Sequence, residues 1–256
     1  MTTGQPKYAS HGTRRVPGTG VTRPGAPILG RVSPQQNVPD TALTTLVGLA
    51  AYTELAAFGL LASRSVDAPD LPTRQTLAAA AGDALGRQER LIGLAAGEAT
   101  AVAAAVAMAP FDDALADFDA RTAPSTWAEG LLKSVVGLGV AQDLCRELAA
   151  GLPGGGEAFR GAVGEPRADD PATVVLAGAA AADAVLAARL ALWGRRVVGE
   201  ALGLVPVLLA AHPPLAGLAA AAREAAADGG ASVQAWLVSR LTAEHTRRMD
   251  RIGLAA

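Results

Sequence analysis

Apolar residues recur at steps of three and four positions along most of the chain after residue 40, the spacing that places them on one face of an α-helix. In the first such segment Leu43, Leu46 and Leu49 follow this spacing, and Asp40 or Thr41 is a suitable N-cap. The pattern predicts an Ala-rich helical segment ending at 108 and a short helix from Pro110. Long helices are predicted over about 41–63, 73–95, 126–150, 172–190, 191–211, 215–227 and 231–252.

Pro and Gly clusters separate these helices. We expect a turn over 67–72, a break at 122–125 and a helix stop at Gly154–Gly156, which lacks the preceding strand and following Lys of a phosphate-binding loop. Pro166 and Pro171 frame a poorly patterned connector. Small residues at 137 and 139, within a predicted helix, favour close helix packing.

Composition supports an all-α class. Half of the residues are apolar but only 4% are aromatic, and Ala dominates, which favours helices over strands. The single Cys145 excludes an intramolecular disulfide and a Cys-based zinc site, so we expect a reducing, cytoplasmic location. The first basic residues are not followed by an apolar stretch of about 7 to 15 residues, so we do not expect a secretory signal peptide. The most apolar run, Ala172–Trp193, carries Asp183 and Arg189, so a buried helix is expected there rather than a membrane span.

Charge separates the first 39 residues from the rest. They contain no acidic residue and six of the sixteen prolines, and their five cations give +5, which leaves −7 for the remainder of a chain whose net charge is −2. We predict a disordered, basic, Pro/Gly-rich tail over 1–39 and a helical domain over 40–256. The tail is either an arm that contacts RNA phosphates or a protein partner, or a passive extension, since its charges are sparse and have no aromatic stacking platform among them.

The candidate chemistry lies in two carboxylates, Glu54 and Glu129. Bundles that bind two iron ions use a Glu from each of two helices and a Glu-x-x-His from each of two others. In this chain no Glu or Asp is followed by His three or four residues later. Glu129 also fits a capping box with Thr126, in which it binds no metal. Glu54 is in mid-helix among apolar neighbours and is expected to be paired or ligating.

Four blocks of sequence resemble one family, the actinobacterial ferritin-like proteins related to MiaE-type tRNA hydroxylases, over about residues 41–253. The resemblance implies a ferritin-like four-helix bundle with additional helices. In members with an intact site, the resemblance implies a non-haem di-iron centre that activates oxygen to hydroxylate a prenylated tRNA adenosine. Glu54 and Glu129 match the two carboxylates that the family contributes singly, without a His three residues later. The blocks are Ala51-Tyr-Thr-Glu-Leu-Ala-Ala-Phe58, Arg121-Thr-Ala-Pro-Ser-Thr-Trp-Ala-Glu-Gly-Leu-Leu-Lys133, Leu192-Trp-Gly-Arg-Arg-Val-Val-Gly-Glu-Ala201 and Leu241-Thr-Ala-Glu-His-Thr-Arg-Arg-Met249.

The departures from the family pattern concern the imidazole ligands. Where the family has Glu-x-x-His on its second helix, this chain has Ala84 and Arg87, and the region of the second pair, about 158–185, contains no His. We therefore predict a vestigial site and no metal. Arg87 either points inward, where its charge replaces the metal beside Glu54 and Glu129, or pairs with Asp83 on the helix surface.

Three functional classes follow. The first is a metal-free ferritin-like protein with a binding, scaffolding or regulatory role, without a cofactor or catalytic residue. The second is a divergent di-iron tRNA hydroxylase, and the third is an enzyme of another kind that uses the vacated core. RNA or protein contact through the tail and homo-oligomerisation are the partner predictions, and membrane association is not expected.

Overall fold

A computed structural model describes residues 41–96, 100–164, 169–227 and 230–256. Within them it contains helices and no strand, which confirms the predicted all-α class. The predicted tail, residues 1–39, lies outside the described residues. The helices of the described ranges, α1 to α10, are Thr41–Val66, Leu71–Ala96, Ala101–Met108, Asp112–Arg121, Trp127–Ala149, Glu157–Val163, Pro171–Ala182, Ala184–Ala211, Pro213–Ala225 and Val233–Ile252.

Four of these helices form the central bundle. The helices α1 and α2 make the most extensive contact, α1 also packs on α5, and α7 packs on both α2 and α5, which closes a ring of four. The helices α8 and α10 cover the outer side of α5, and α9 packs against α1 and α5. Buried Leu, Ile, Val and Ala side chains fill the interior, so the bundle core is made mainly from short aliphatic groups.

The helix boundaries follow local capping. Thr126 caps α5 as expected, and three consecutive glycines with positive φ, Gly154–Gly156, follow the end of α5. The helix α2 begins at Leu71, two residues before the predicted start, because the Asp70 carboxylate accepts a hydrogen bond from the Thr73 N–H. The helix α9 begins at Pro213, two residues before the predicted start, since proline fits the first turn of a helix.

In the second half of the chain one predicted helix boundary was wrong and one helix was not predicted. The predicted division at 190 and 191 lies instead at Asp183, whose carboxylate accepts hydrogen bonds from the N–H groups of Val185 and Leu186 and so starts α8. The helix that was not predicted is α6, which precedes the connector predicted between Pro166 and Pro171. Its side chains Phe159 and Val163 are buried. Its seven residues are too few to show a periodic pattern.

Among the helices of the described ranges, α1 is long and apolar enough to cross a membrane, judged by length and composition alone. The number of such segments rises to at most three if each of two bent helix pairs is counted as one span. The run 172–193, expected to be a buried helix, is divided between α7 and α8.

Candidate functional site

The site is built around Glu54, in the middle of α1, whose side chain is only 1% exposed. The Arg87 guanidinium of α2 contacts one carboxylate oxygen, with both Nε and Nη2 2.9 Å from Oε2. The Gln142 amide of α5 donates to the other oxygen, Oε1, at 2.8 Å. Each carboxylate oxygen thus accepts from a different helix, and the three helices are tied together at one point.

Small side chains bring these helices close enough for the contact. Ala57 of α1, Ala84 of α2 and Leu138 of α5 form a small buried cluster of their own. Each lies within four residues of the polar residue on its own helix, which is about one helical turn. The alanines leave space between the helices in which the longer side chains of Arg87 and Gln142 reach Glu54.

The structure decides between the two predictions for Arg87. Its side chain points to Glu54, and Asp83, the alternative partner, is exposed. The inward prediction is confirmed with respect to Glu54. Ala84 is completely buried, so this position of α2 contributes packing and no polar atom to the site.

Glu129 does not join this cluster. Its carboxylate accepts from the N–H groups of Ser125 and Thr126 and from the Ser125 hydroxyl, while the Thr126 hydroxyl accepts from the Glu129 N–H, which completes a capping box. Burial raises the pKa of Glu129, but these hydrogen bonds outweigh it and hold the pKa below its usual value. Thirteen residues separate Glu129 from Gln142, roughly 20 Å along α5. The capping role is therefore the correct one of the two predicted for Glu129.

A second buried carboxylate, Asp143, was missed by the sequence reasoning. It is 3% exposed and accepts from Arg146 Nη1 at 2.6 Å and from Arg248 Nη2 of α10 at 2.5 Å. Two cations therefore share one anion. The signal was present, because Asp143 is followed by Leu144 and Cys145 in mid-helix, much as Glu54 is set among apolar residues, and the same expectation of pairing applied.

Cys145 offers no nucleophile to this region. Burial raises the pKa of its thiol to about 12, although the positive charge of Arg146 acts in the opposite direction. The thiol is therefore protonated at neutral pH and packs as a small apolar side chain.

The comparison with protein families decides the classification. The family model described as a ferritin-like domain of actinomycetes matches residues 38–221. The chain belongs to this family. The search of curated proteins gave no match.

Because ferritin-like bundles are associated with di-iron centres, the donor set of this ferritin-like domain was compared with what such a centre requires. Among the described residues no group of three or more His, Cys, Asp or Glu side chains is placed to bind a metal ion. Both oxygens of Glu54 already accept hydrogen bonds, and one of the donors is a permanent cation. The buried residues of α7, the fourth bundle helix, are Ala172, Thr173, Leu176 and Ala180. The described residues around Glu54 do not fit a di-iron centre.

The ferritin-like domain also contains a large apolar cavity of about 470 Å³ between α1, α4, α5 and α8. Leucines, alanines and Phe118 form most of its wall. Its polar atoms come from few residues. The Tyr52 hydroxyl donates to Asp112, and burial together with this bond raises the Tyr52 pKa to about 12, so it is a neutral group. Lys133, 2% exposed, donates to Asp119.

Proposed function

We propose that this ferritin-like protein acts without a metal, as a binding protein, and that the ion pair of Glu54 with Arg87 takes the place of an iron centre. The observation that supports this most strongly is that both oxygens of the Glu54 carboxylate accept hydrogen bonds, one from Arg87 and the other from Gln142. A guanidinium has a fixed charge and a fixed position, so it neutralises the buried carboxylate at any physiological pH. A metal ion at Oε2 would have to displace it.

We further propose that the ligand is a small, mainly apolar molecule bound in the cavity between α1, α4, α5 and α8. Cavities of 300 to 1,000 Å³ with apolar walls and few polar groups are typical of ligand sites, and this one has about 470 Å³. The polar atoms of Tyr52, Thr53 and Lys133 line it and supply hydrogen bonds to a ligand with one or two polar atoms.

The neutral apolar fluorophore N-phenyl-1-naphthylamine tests the cavity directly. We expect a saturable rise in its fluorescence with the full-length protein. Gly59 lines the cavity, and a Cβ added there meets no atom within 4 Å, so Gly59→Phe adds a ring at the cavity wall without a clash at its Cβ. We expect this variant to weaken binding by about tenfold or more, equivalent to roughly 1.4 kcal/mol.

The matched control is Gly82→Phe, at an exposed position of α2 that is also open and does not line the cavity. It should bind the fluorophore as the wild-type protein does. Equal weakening by both substitutions, or none by Gly59→Phe, would show that the probe binds elsewhere.

The alternative function is a divergent di-iron tRNA hydroxylase related to the MiaE type. The four sequence blocks favour it, whereas the donor set around Glu54 does not. Iron bound near stoichiometry would favour it over a metal-free role. An RNA-binding role of the basic tail is tested separately, by crosslinking to RNA before and after the substitutions Arg14→Gln and Arg15→Gln.

A further inference from the structure

A second, smaller cavity of about 140 Å³ lies beside the Glu54 cluster and is lined by residues of α1, α2, α5, α6, α7 and α10. Its distinguishing feature is its cations. Four arginines from three helices line it, namely Arg87, Arg146, Arg248 and Arg251, whereas Asp170 is the one acidic residue among its described lining residues.

The carboxylates near this cavity do not balance the arginines. Glu54 pairs with Arg87, and Asp143 is shared between Arg146 and Arg248. Asp170 is engaged at the start of α7, where its carboxylate accepts from the N–H and the hydroxyl of Thr173. Among the described residues that line the cavity or pair with its arginines, four cations therefore face three carboxylates, a formal excess of +1. Within the part of the chain that the structure describes, Arg251 has no carboxylate within ion-pair distance.

Two buried guanidinium nitrogens have unused hydrogen-bonding capacity. Arg248, whose side chain is 7% exposed, has no hydrogen-bond partner at Nη1 among the described residues, and the same holds for Nε of Arg251. Buried donors on charged groups are rarely left without an acceptor, and both arginines line a cavity that has room for a small anion or water. The Ser134 hydroxyl, which also lines the cavity, adds a polar group beside them.

Gly139 of α5 creates the space for Arg248. A Cβ added at Gly139 would lie 2.6 Å from Arg248 Nε and 2.7 Å from its Cζ, so the guanidinium lies directly on the helix backbone. A larger residue at this position would displace the arginine. The close packing predicted for Gly139 therefore serves a charged side chain at the cavity wall.

We propose that this cavity binds a small oxyanion, of phosphate size or a short carboxylate. Nη1 of Arg248 and Nε of Arg251 are donors without a partner among the described residues, oxyanions accept such donors, and the net positive charge favours an anion over water. The volume of about 140 Å³ limits the ligand to a small group.

Isothermal titration calorimetry of the full-length protein tests this, with inorganic phosphate in one arm and acetate in the other, and chloride holding the ionic strength constant. We expect one saturable site per chain for at least one of the two anions. Arg251→Gln should weaken binding by about tenfold or more. Gly139→Ala should weaken anion binding as well, because the added Cβ would displace the Arg248 guanidinium from the cavity wall. The atoms it meets belong to a side chain and not to the backbone, so the variant is expected to fold.

The control variant is Arg195→Gln, at an exposed position of α8 remote from the cavity lining, and it should bind as the wild-type protein does. Circular dichroism confirms that each variant is folded. The proposal is overturned if neither anion gives saturable binding, or if binding is unchanged in folded Arg251→Gln. The proposal is also overturned if anion binding is lost when Arg14 and Arg15 of the tail are replaced by Gln, because the anion would then bind to the tail and not in the cavity. The result is independent of iron content and of fluorophore binding, so it can fail while the proposed function stands.

Discussion

Arg87 is the only cation paired with the buried carboxylate of Glu54 in the described structure. Its replacement by Met would leave that carboxylate with Gln142 as its remaining partner. Removal of one member of a buried ion pair costs about 3 to 5 kcal/mol, and since Arg87 is itself 26% exposed we expect a loss nearer to about 2 kcal/mol in the free energy of unfolding. Urea denaturation measures it.

The matched control for this change is Arg90→Met on the same helix. Arg90 is exposed and makes a single weak contact, with its Nη2 3.4 Å from the Ala162 carbonyl oxygen. Its replacement should alter the free energy of unfolding by less than about 0.5 kcal/mol. If both variants unfold at the same urea concentration as the wild type, Glu54 does not depend on Arg87.

His245 makes stability depend on pH. It is 4% exposed, both ring nitrogens have no hydrogen-bond partner among the described residues, and burial together with the nearby Arg248 lowers its pKa to about 4. The unfolded chain protonates this histidine near 6.5, so between pH 6.5 and 4 the unfolded state binds more protons than the folded state. Stability should therefore fall as the pH is lowered through this range, by on the order of 2 kcal/mol.

The variant His245→Leu should remove this contribution and raise stability at pH 7 by roughly 1 kcal/mol, because it eliminates two buried polar atoms without partners. Urea denaturation between pH 7 and pH 4 gives the difference between the variant and the wild type. A difference that stays constant over that range would contradict the assignment. His212→Leu provides a comparison at a partly exposed histidine, where a smaller effect is expected.

Sequence reasoning at the residue scale succeeded where one residue and its helix neighbours contained the information. Glu54 was expected to be paired because its neighbours are apolar, and it is. Gln142 and Arg248 were not predicted, because their contacts join residues 88 and 105 positions apart and depend on the relative register of packed helices. A helix pattern in the sequence does not specify that register.

At the scale of elements, the close approach of α1 and α3 requires a glycine. A Cβ added at Gly48 would lie 2.1 Å from the Ala107 carbonyl oxygen, a backbone atom that cannot move aside. We expect Gly48→Ala to lower the free energy of unfolding by about 3 kcal/mol or to prevent folding. Thermal unfolding followed by circular dichroism measures the change.

The control for this prediction is Gly82→Ala in α2, where an added Cβ meets nothing within 4 Å. Because alanine restricts the unfolded chain and favours the helix, this variant should be more stable by about 0.5 to 1 kcal/mol. Opposite signs for the two substitutions are the expected outcome. A stable Gly48→Ala protein would show that α3 does not pack as described.

The division between α7 and α8 shows why element boundaries were harder to predict than the elements. Alanine-rich sequence continues on both sides of Asp183 and favours one long helix. Asp183 is an effective N-cap, but the same residue type also occurs on exposed helix surfaces, so its capping role depends on where the chain turns. That turn places α7 as the fourth helix of the bundle.

At the scale of the whole molecule, the ferritin-like bundle is retained, whereas the interior chemistry proposed for it is ionic. The ring of α1, α2, α5 and α7 contains the ion pairs of Glu54 and Asp143, and the covering helices add the apolar cavity on one side. The ferritin-like family was recognisable from four sequence blocks, three of which lie entirely within the long helices α1, α8 and α10. The absence of a Glu-x-x-His pair was also visible in the sequence, whereas the two arginines that pair with Asp143 were not predicted.

The central claim is that the Glu54 centre is held by an ion pair and binds no iron. The most direct measurement is the iron content of the full-length protein after anaerobic incubation with excess ferrous iron and desalting, determined by plasma mass spectrometry. The account predicts iron well below one ion per chain and an unfolding temperature that ferrous iron does not change. Retention of about two iron ions per chain, the content of a di-iron centre, would contradict it.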